Sequence, residues 1–195
     1  GPCGPDTEMY YDVSNKFGGK GLTHDEFVQA DNVRDVVEVW NDVFMQYEKK
    51  DGKIIGTLPK PSVDTGAGLE RLTMTLQGVD NIYDTDLFKP VMDLMKNPDQ
   101  TIRNKRIIAD HLRASTFLIA DGVIPSNTDR GYILRRLIRR AIISTTDKML
   151  DEKRISVFVD TITNVYAVAY PELVTKKDHI KKVLVEEANK FATAL

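Results

Sequence analysis

The residues best suited to chemistry fall in one short stretch, residues 60–71, reading KPSVDTGAGLER. Asp64 offers a carboxylate that could hold an ammonium group. It could equally cap a following helix. Gly66 and Gly68, with Ala67 between them, allow a ligand to approach the backbone closely. Arg71 could meet the phosphates of a nucleotide or stack on its base. A solvated or salt-bridged arginine at a helix start is the plainer alternative. Glu8 and Glu38 are further acids that could face a metal ion, against the simpler reading of solvated strand carboxylates.

A second constellation lies downstream. Residues 103–140 carry nine Lys and Arg against Asp110, Asp121 and Asp129, a local charge of +6. Residues 1–60 carry seven against eleven acids, hence −4, within a chain whose net charge is −2. At ~100° per residue, Arg135, Arg136, Arg139 and Arg140 fall within an arc of ~140° on a helix. Leu134, Leu137, Ile138, Ala141 and Ile142 take most of the opposite arc. No acid lies between Gly131 and Ser144 to compensate them. The pattern suits a phosphate backbone, although a solvated basic face would look the same.

These groups need positioning elements. Residues 35–47 are rich in β-branched and aromatic side chains and predict a strand. Lys-Lys-Asp-Gly-Lys at residues 49–53 predicts a hairpin turn, and residues 54–58 the returning strand. Leu69, Leu72, Met74 and Leu76 begin a helical pattern. Residues 13–34 read as a polar connection. A helix is expected from Asp86 until Asn97-Pro98 breaks it. Beyond that the pattern is helical throughout: residues 106–122 closing on Gly122, then 131–143, 152–170 and 172–195, with Pro171 between the last two. The fold class is therefore α+β, with domains expected at 1–98 and 99–195.

Composition sets outer limits. Hydrophobic content of 42% and charged content of 29% describe an ordinary globular chain. No apolar run reaches the ~18 residues of a membrane span. The single Cys3 allows no internal disulfide, which fits a reducing, cytoplasmic location. His24, His111 and His179 are scattered, so no metal site is expected.

PKPSVDTGAGLERL resembles motif 3 of the class II aminoacyl-tRNA synthetases, in the form carried by alanyl-tRNA synthetases. Other stretches agree in order: GPCGPDTEMYYD, EVWNDVFMQY, NIYDTDLF, RIIADHLRASTFLIADGVIPSN and DRGYILRRLIRRA. The resemblance covers nearly all of residues 1–144 and thins beyond. It implies the C-terminal half of an antiparallel catalytic sheet with its motif 3 helix, followed by an all-helical tRNA-recognition domain. It implies an alanine–tRNA ligase that activates alanine with ATP and Mg²⁺, then transfers it to the 3′ end of alanine tRNA. Asp64 would hold the alanine amine, with Asn41, Val43 and Gly66 lining that pocket, and Asp64 and Arg71 would be its catalytic residues. Gly68, Glu70 and Arg71 would bind ATP. Asn127 would read a G·U wobble pair in the acceptor stem, with Arg130, Arg135 and Arg139 on its phosphates.

The resemblance further implies that motifs 1 and 2 precede Gly1 and that editing and C-terminal domains, with the family's zinc, follow Leu195. These residues alone would then be inactive. One position departs from the family pattern: a second cysteine commonly follows GPCGP, where this chain has Asp6. The alternative is a non-catalytic RNA-binding module derived from a synthetase.

Overall fold

The computed structural model describes residues 1–194. They form two compact units, Gly1–Thr85 and Asp86–Leu195.

The N-terminal unit is built on a long hairpin. β3 (Val36–Lys50) turns at Asp51 and Gly52 and returns as β4 (Lys53–Ala67). Both turn residues have positive φ, 48° and 79°. That is the geometry whose twist matches the two strands, and Asp-Gly is a favoured pair for it. β1 (Pro2–Cys3) and β2 (Asp6–Asp12) also pair antiparallel with β3. Gly4 lies between them, where a Cβ would stand 1.7 Å from the Phe44 carbonyl oxygen. Only glycine allows the strands to approach so closely there.

The return strand runs nine residues further than expected, through the whole glycine stretch to Ala67. Prolines should not sit inside a ladder. Pro59 and Pro61 are accommodated because pairing skips them: Tyr47 opposes Thr57 and Met45 opposes Ser62. Leu58 to Pro61 therefore bulge opposite Gln46 alone, and no ladder bond is asked of either proline. Gly66 has no positive φ and Gly68 has φ −78°, so neither serves as a turn glycine.

α1 (His24–Asn32) occupies part of what read as a polar connection. Thr23 and Glu26 cap each other's backbone there, the Thr-x-x-Glu capping box that marks a helix start in sequence. α2 (Leu69–Gln77) begins at Gly68 and closes on Gly78, φ 63°. Val79 N–H bonds the Met74 carbonyl and Gly78 N–H the Thr75 carbonyl, the paired bonds of a left-handed helix stop. A single 3-10 turn spans Ile82–Asp84.

The C-terminal unit is helical throughout its described residues. Its elements are α3 (Lys89–Met92), α4 (Ile102–Ala120), α5 (Asp129–Ile143), α6 (Glu152–Tyr166), α7 (Pro171–Thr175) and α8 (Lys177–Ala192). Only Lys89–Met92 of the helix expected from Asp86 is α-helical. The expected boundary at 98/99 falls inside this unit, because Phe88 and Val91 are each 1% exposed and belong to the helical core. Ile108, Leu112, Leu134, Ile138, Ile162 and Leu184 fill the rest of that core. α4 ends on Gly122, φ 87°, as the glycine there predicts. Lys176 reaches back to the freed Ala120 carbonyl at 2.6 Å, a cation on the negative end of α4.

Candidate functional site: a sheet face and a helix-bound loop

The first site is set by strand register. Asn41 lies directly opposite Gly66, and Val43 directly opposite Asp64. On the other edge of β3, Glu8 opposes Asn41 and Asp6 opposes Val43. Opposed residues share a face, and so do residues two apart along a strand. Asp6, Glu8, Asn41, Val43, Asp64 and Gly66 therefore lie on one face of three strands. A Cβ on Gly66 would meet nothing within 4 Å, so its missing side chain leaves open room beside Asn41. Three carboxylates on a small-residue floor suit a small cationic ligand.

Asp64 does not cap α2. The cap position is Gly68, four residues on, and no side chain bonds it. Asp6, singled out in the sequence only as a departure from a family pattern, stands in the same cross-strand row as Asp64. The parity of positions 6, 8, 41 and 43 was the available signal. Glu8 accepts a 2.8 Å hydrogen bond from Tyr10 Oη. That bond, with some desolvation, pushes the Tyr10 hydroxyl up to about 12.

Arg71 lies at the other end of the junction. Its Nη1 donates to the Glu38 carbonyl and to Glu38 Oε2, both at 3.1 Å. Glu38, one of the acids considered for a metal, is thus a partner of Arg71. No group of three His, Cys, Asp or Glu side chains able to hold a metal ion occurs among the described residues. Gly68, Glu70 and Arg71 all sit at the N-terminus of α2, whose partial positive charge favours an anion.

The second site is the loop between α4 and α5. Ser126 ties it together: its N–H donates to the Gly131 carbonyl at 3.1 Å and its Oγ to the Thr128 carbonyl at 2.9 Å. Gly131 is buried beneath it, and a Cβ there would stand 2.3 Å from Ser126 Oγ and 2.4 Å from the Ile124 carbonyl oxygen. Arg135 reaches back along α5 to the loop. Its Nε donates to the Ser126 carbonyl at 3.1 Å and its Nη1 to Asn127 Oδ1 at 2.6 Å, and its Nη2 donates to the same oxygen.

The five arginines of α5 are not equivalent. Arg139 Nε donates to Glu187 Oε1 at 2.7 Å, and its guanidinium lies 4.9 Å over the Phe191 ring. No acid lies within residues 131–144, and the one that meets this face comes from α8, 48 residues away. Arg139 and Arg135, both expected on phosphates, are half-buried and held by the protein itself. Arg130, Arg136 and Arg140 are exposed and make no ion pair among the described residues. Asp110 lies below the usual carboxylate range despite desolvation, chiefly through its hydrogen bond with His111, with Arg113 and Arg140 adding positive charge.

The sequence model of a family described as tRNA synthetases class II (A) matches residues 1–195. The chain belongs to this family. An alanine–tRNA ligase of Alkaliphilus metalliredigens is 41% identical to this class II chain over 201 residues, covering 98% of it and 22% of the relative. One of Legionella pneumophila is 43% identical over 200 residues, covering 100% and 23%. One of Bdellovibrio bacteriovorus is 41% identical over 220 residues, also covering 100% and 23%. The chain thus spans less than a quarter of the length of these synthetases. No described helix is long and apolar enough to cross a membrane.

Proposed function

We propose that these residues supply the motif 3 part of the alanine and ATP site, and the acceptor-stem reader, of a cytoplasmic alanine–tRNA ligase. The alanine carboxylate attacks the α-phosphorus of ATP, giving alanyl-adenylate and pyrophosphate. The terminal ribose hydroxyl of alanine tRNA then takes the alanyl group and AMP leaves. Asp64 holds the α-ammonium, and Asn41, Val43 and Gly66 bound the space for a methyl side chain. Arg71 leaves Glu38 for the nucleotide, which lies at the N-terminus of α2 against Gly68 and Glu70. Mg²⁺ would be held mainly by the ATP phosphates and would offset their charge. The protein's contribution is positioning and electrostatic stabilisation. The observation that carries this reading is the register that sets Asn41 against Gly66 and Val43 against Asp64 on one face.

On the RNA side, Asn127 reads the wobble pair. Arg130 is kept as a phosphate contact and is joined by the exposed Arg136 and Arg140, with Arg135 and Arg139 withdrawn to structural duty. The rival, a non-catalytic RNA-binding module, draws on the separate core of the C-terminal unit.

Asp64→Asn in a full-length ligase carrying these residues separates the two. Alanine affinity is expected to fall by about 1.5 kcal/mol, the lower end for a hydrogen bond to a charged group because Asp64 is exposed. ATP affinity should hold. Equal loss for both substrates, or none for either, rejects the alanine pocket. The chain spans less than a quarter of the length of its relatives, so alanine-dependent ATP–pyrophosphate exchange by the 195 residues alone should stay at background. Clear turnover by them would overturn the half-site reading.

A further inference from the structure

The α4–α5 loop and α5 are joined by one set of bonds. Arg135 Nη1 and Nη2 both donate to Asn127 Oδ1. A carboxamide oxygen has two lone pairs, and two guanidinium hydrogens fill them. Arginine has no acceptor, so the amide cannot be turned the other way: its oxygen must face Arg135 and its nitrogen must face away. No described group accepts a hydrogen bond from Asn127 Nδ2, and Asn127 is exposed. A third bond, Arg135 Nε to the Ser126 carbonyl at 3.1 Å, fixes the guanidinium against the loop backbone. Gly131 beneath and the Ser126–Thr128 bonds set the height of the loop above α5.

We infer that Arg135 is a positioning residue that consumes the acceptor of Asn127 and presents its amide to RNA purely as a hydrogen-bond donor. This rests on the reading of Asn127 as the base contact. The consequence is chemical. The minor groove of an RNA helix offers acceptors, pyrimidine O2 and purine N3, and one donor, the guanine 2-amino group. A donor-only Asn127 must bond an acceptor edge and cannot accept a hydrogen bond from the guanine 2-amino group. A wobble pair displaces those acceptors relative to a Watson–Crick pair, so a donor fixed at two points can tell the pairs apart. An amide free to rotate would meet either edge and discriminate less. Arg135 therefore governs base preference without touching RNA.

The test is binding of the 195-residue chain to short acceptor-stem duplexes that differ only in carrying G·U or G·C. The readout is the ratio of the two affinities, in which general charge effects cancel. Asn127→Ala should bring that ratio close to one, a loss of roughly ten-fold in preference, as one well-made polar contact is worth. Asn127→Asp keeps an acceptor facing Arg135 but has no hydrogen to donate, and it should lose the preference equally. Arg135→Met, which keeps the length of the side chain but has no hydrogen to donate, should also lose most of it, while Arg135→Lys, which can still donate to Asn127 Oδ1, recovers part. A ratio kept by Asn127→Asp would show that Asn127 accepts, and the inference fails. It also fails if Arg135→Met weakens both stems alike and keeps the ratio, because Arg135 is then an ordinary phosphate contact. If Asn127→Ala itself leaves the ratio unchanged, the base-reading assignment falls, and this inference with it.

Discussion

Arg139→Ala should lower the stability of the C-terminal unit by about 3–4 kcal/mol, the cost of leaving a buried charge without its partner. Glu187 is 5% exposed and accepts the 2.7 Å bond from Arg139 Nε. Removing the guanidinium strands that buried carboxylate and strips the cation from the face of Phe191. Urea unfolding followed by circular dichroism measures the loss. A second variant identifies its cause. Arg139→Ala combined with Glu187→Leu removes the stranded charge and should recover most of the stability. Arg136→Ala and Arg140→Ala change exposed side chains and should stay within about 0.5 kcal/mol of the parent. They should instead weaken RNA binding regardless of sequence and flatten its salt dependence. An Arg139→Ala chain as stable as the parent but poor at binding RNA would return Arg139 to the phosphate surface.

Gly131→Ala is the second large effect, about 2–3 kcal/mol of destabilisation from forcing a methyl into filled space. In an open helix the same change would gain up to about 1 kcal/mol of helix propensity. Here the new Cβ would lie 2.4 Å from the Ile124 carbonyl oxygen and 2.3 Å from Ser126 Oγ. Ser126 could rotate away only by giving up its bond to the Thr128 carbonyl. The Ile124 carbonyl is backbone and can move only with the loop. That movement pulls Asn127 off Arg135, so the affinity ratio between G·U and G·C stems should collapse together with stability. A Gly131→Ala chain that is more stable than the parent would mean the loop does not rest on α5.

Much of this was legible in the residues themselves, for local reasons. Asp51-Gly52 specified its hairpin because both positions need positive φ. Gly122 stopped α4, and the apolar stripe of α5 predicted which side of it would be buried. The quoted motifs placed the chain among the class II synthetases. Thr23 and Glu26 announced α1 as plainly, through a capping box that the polar composition around it obscured. Each of these signals is carried by a few consecutive residues acting on their own backbone.

The rest depended on partners far along the chain. Residues 58–67 contain two prolines and a glycine, which read locally as loop. They form a strand because β3 offers a ladder that skips the prolines. Pairing also decided which side chains share the sheet face, and so brought Asp6 into the row of Val43 and Asp64. The arginines of α5 are chemically alike, and no local pattern could rank them. Glu187 took one from across the helical core, the loop took another, and Arg136 and Arg140 were left facing water. Sequence determined which charges α5 carries. Tertiary structure decided which of them remain available, because a charge is withdrawn only when folding brings it a partner and removes the water.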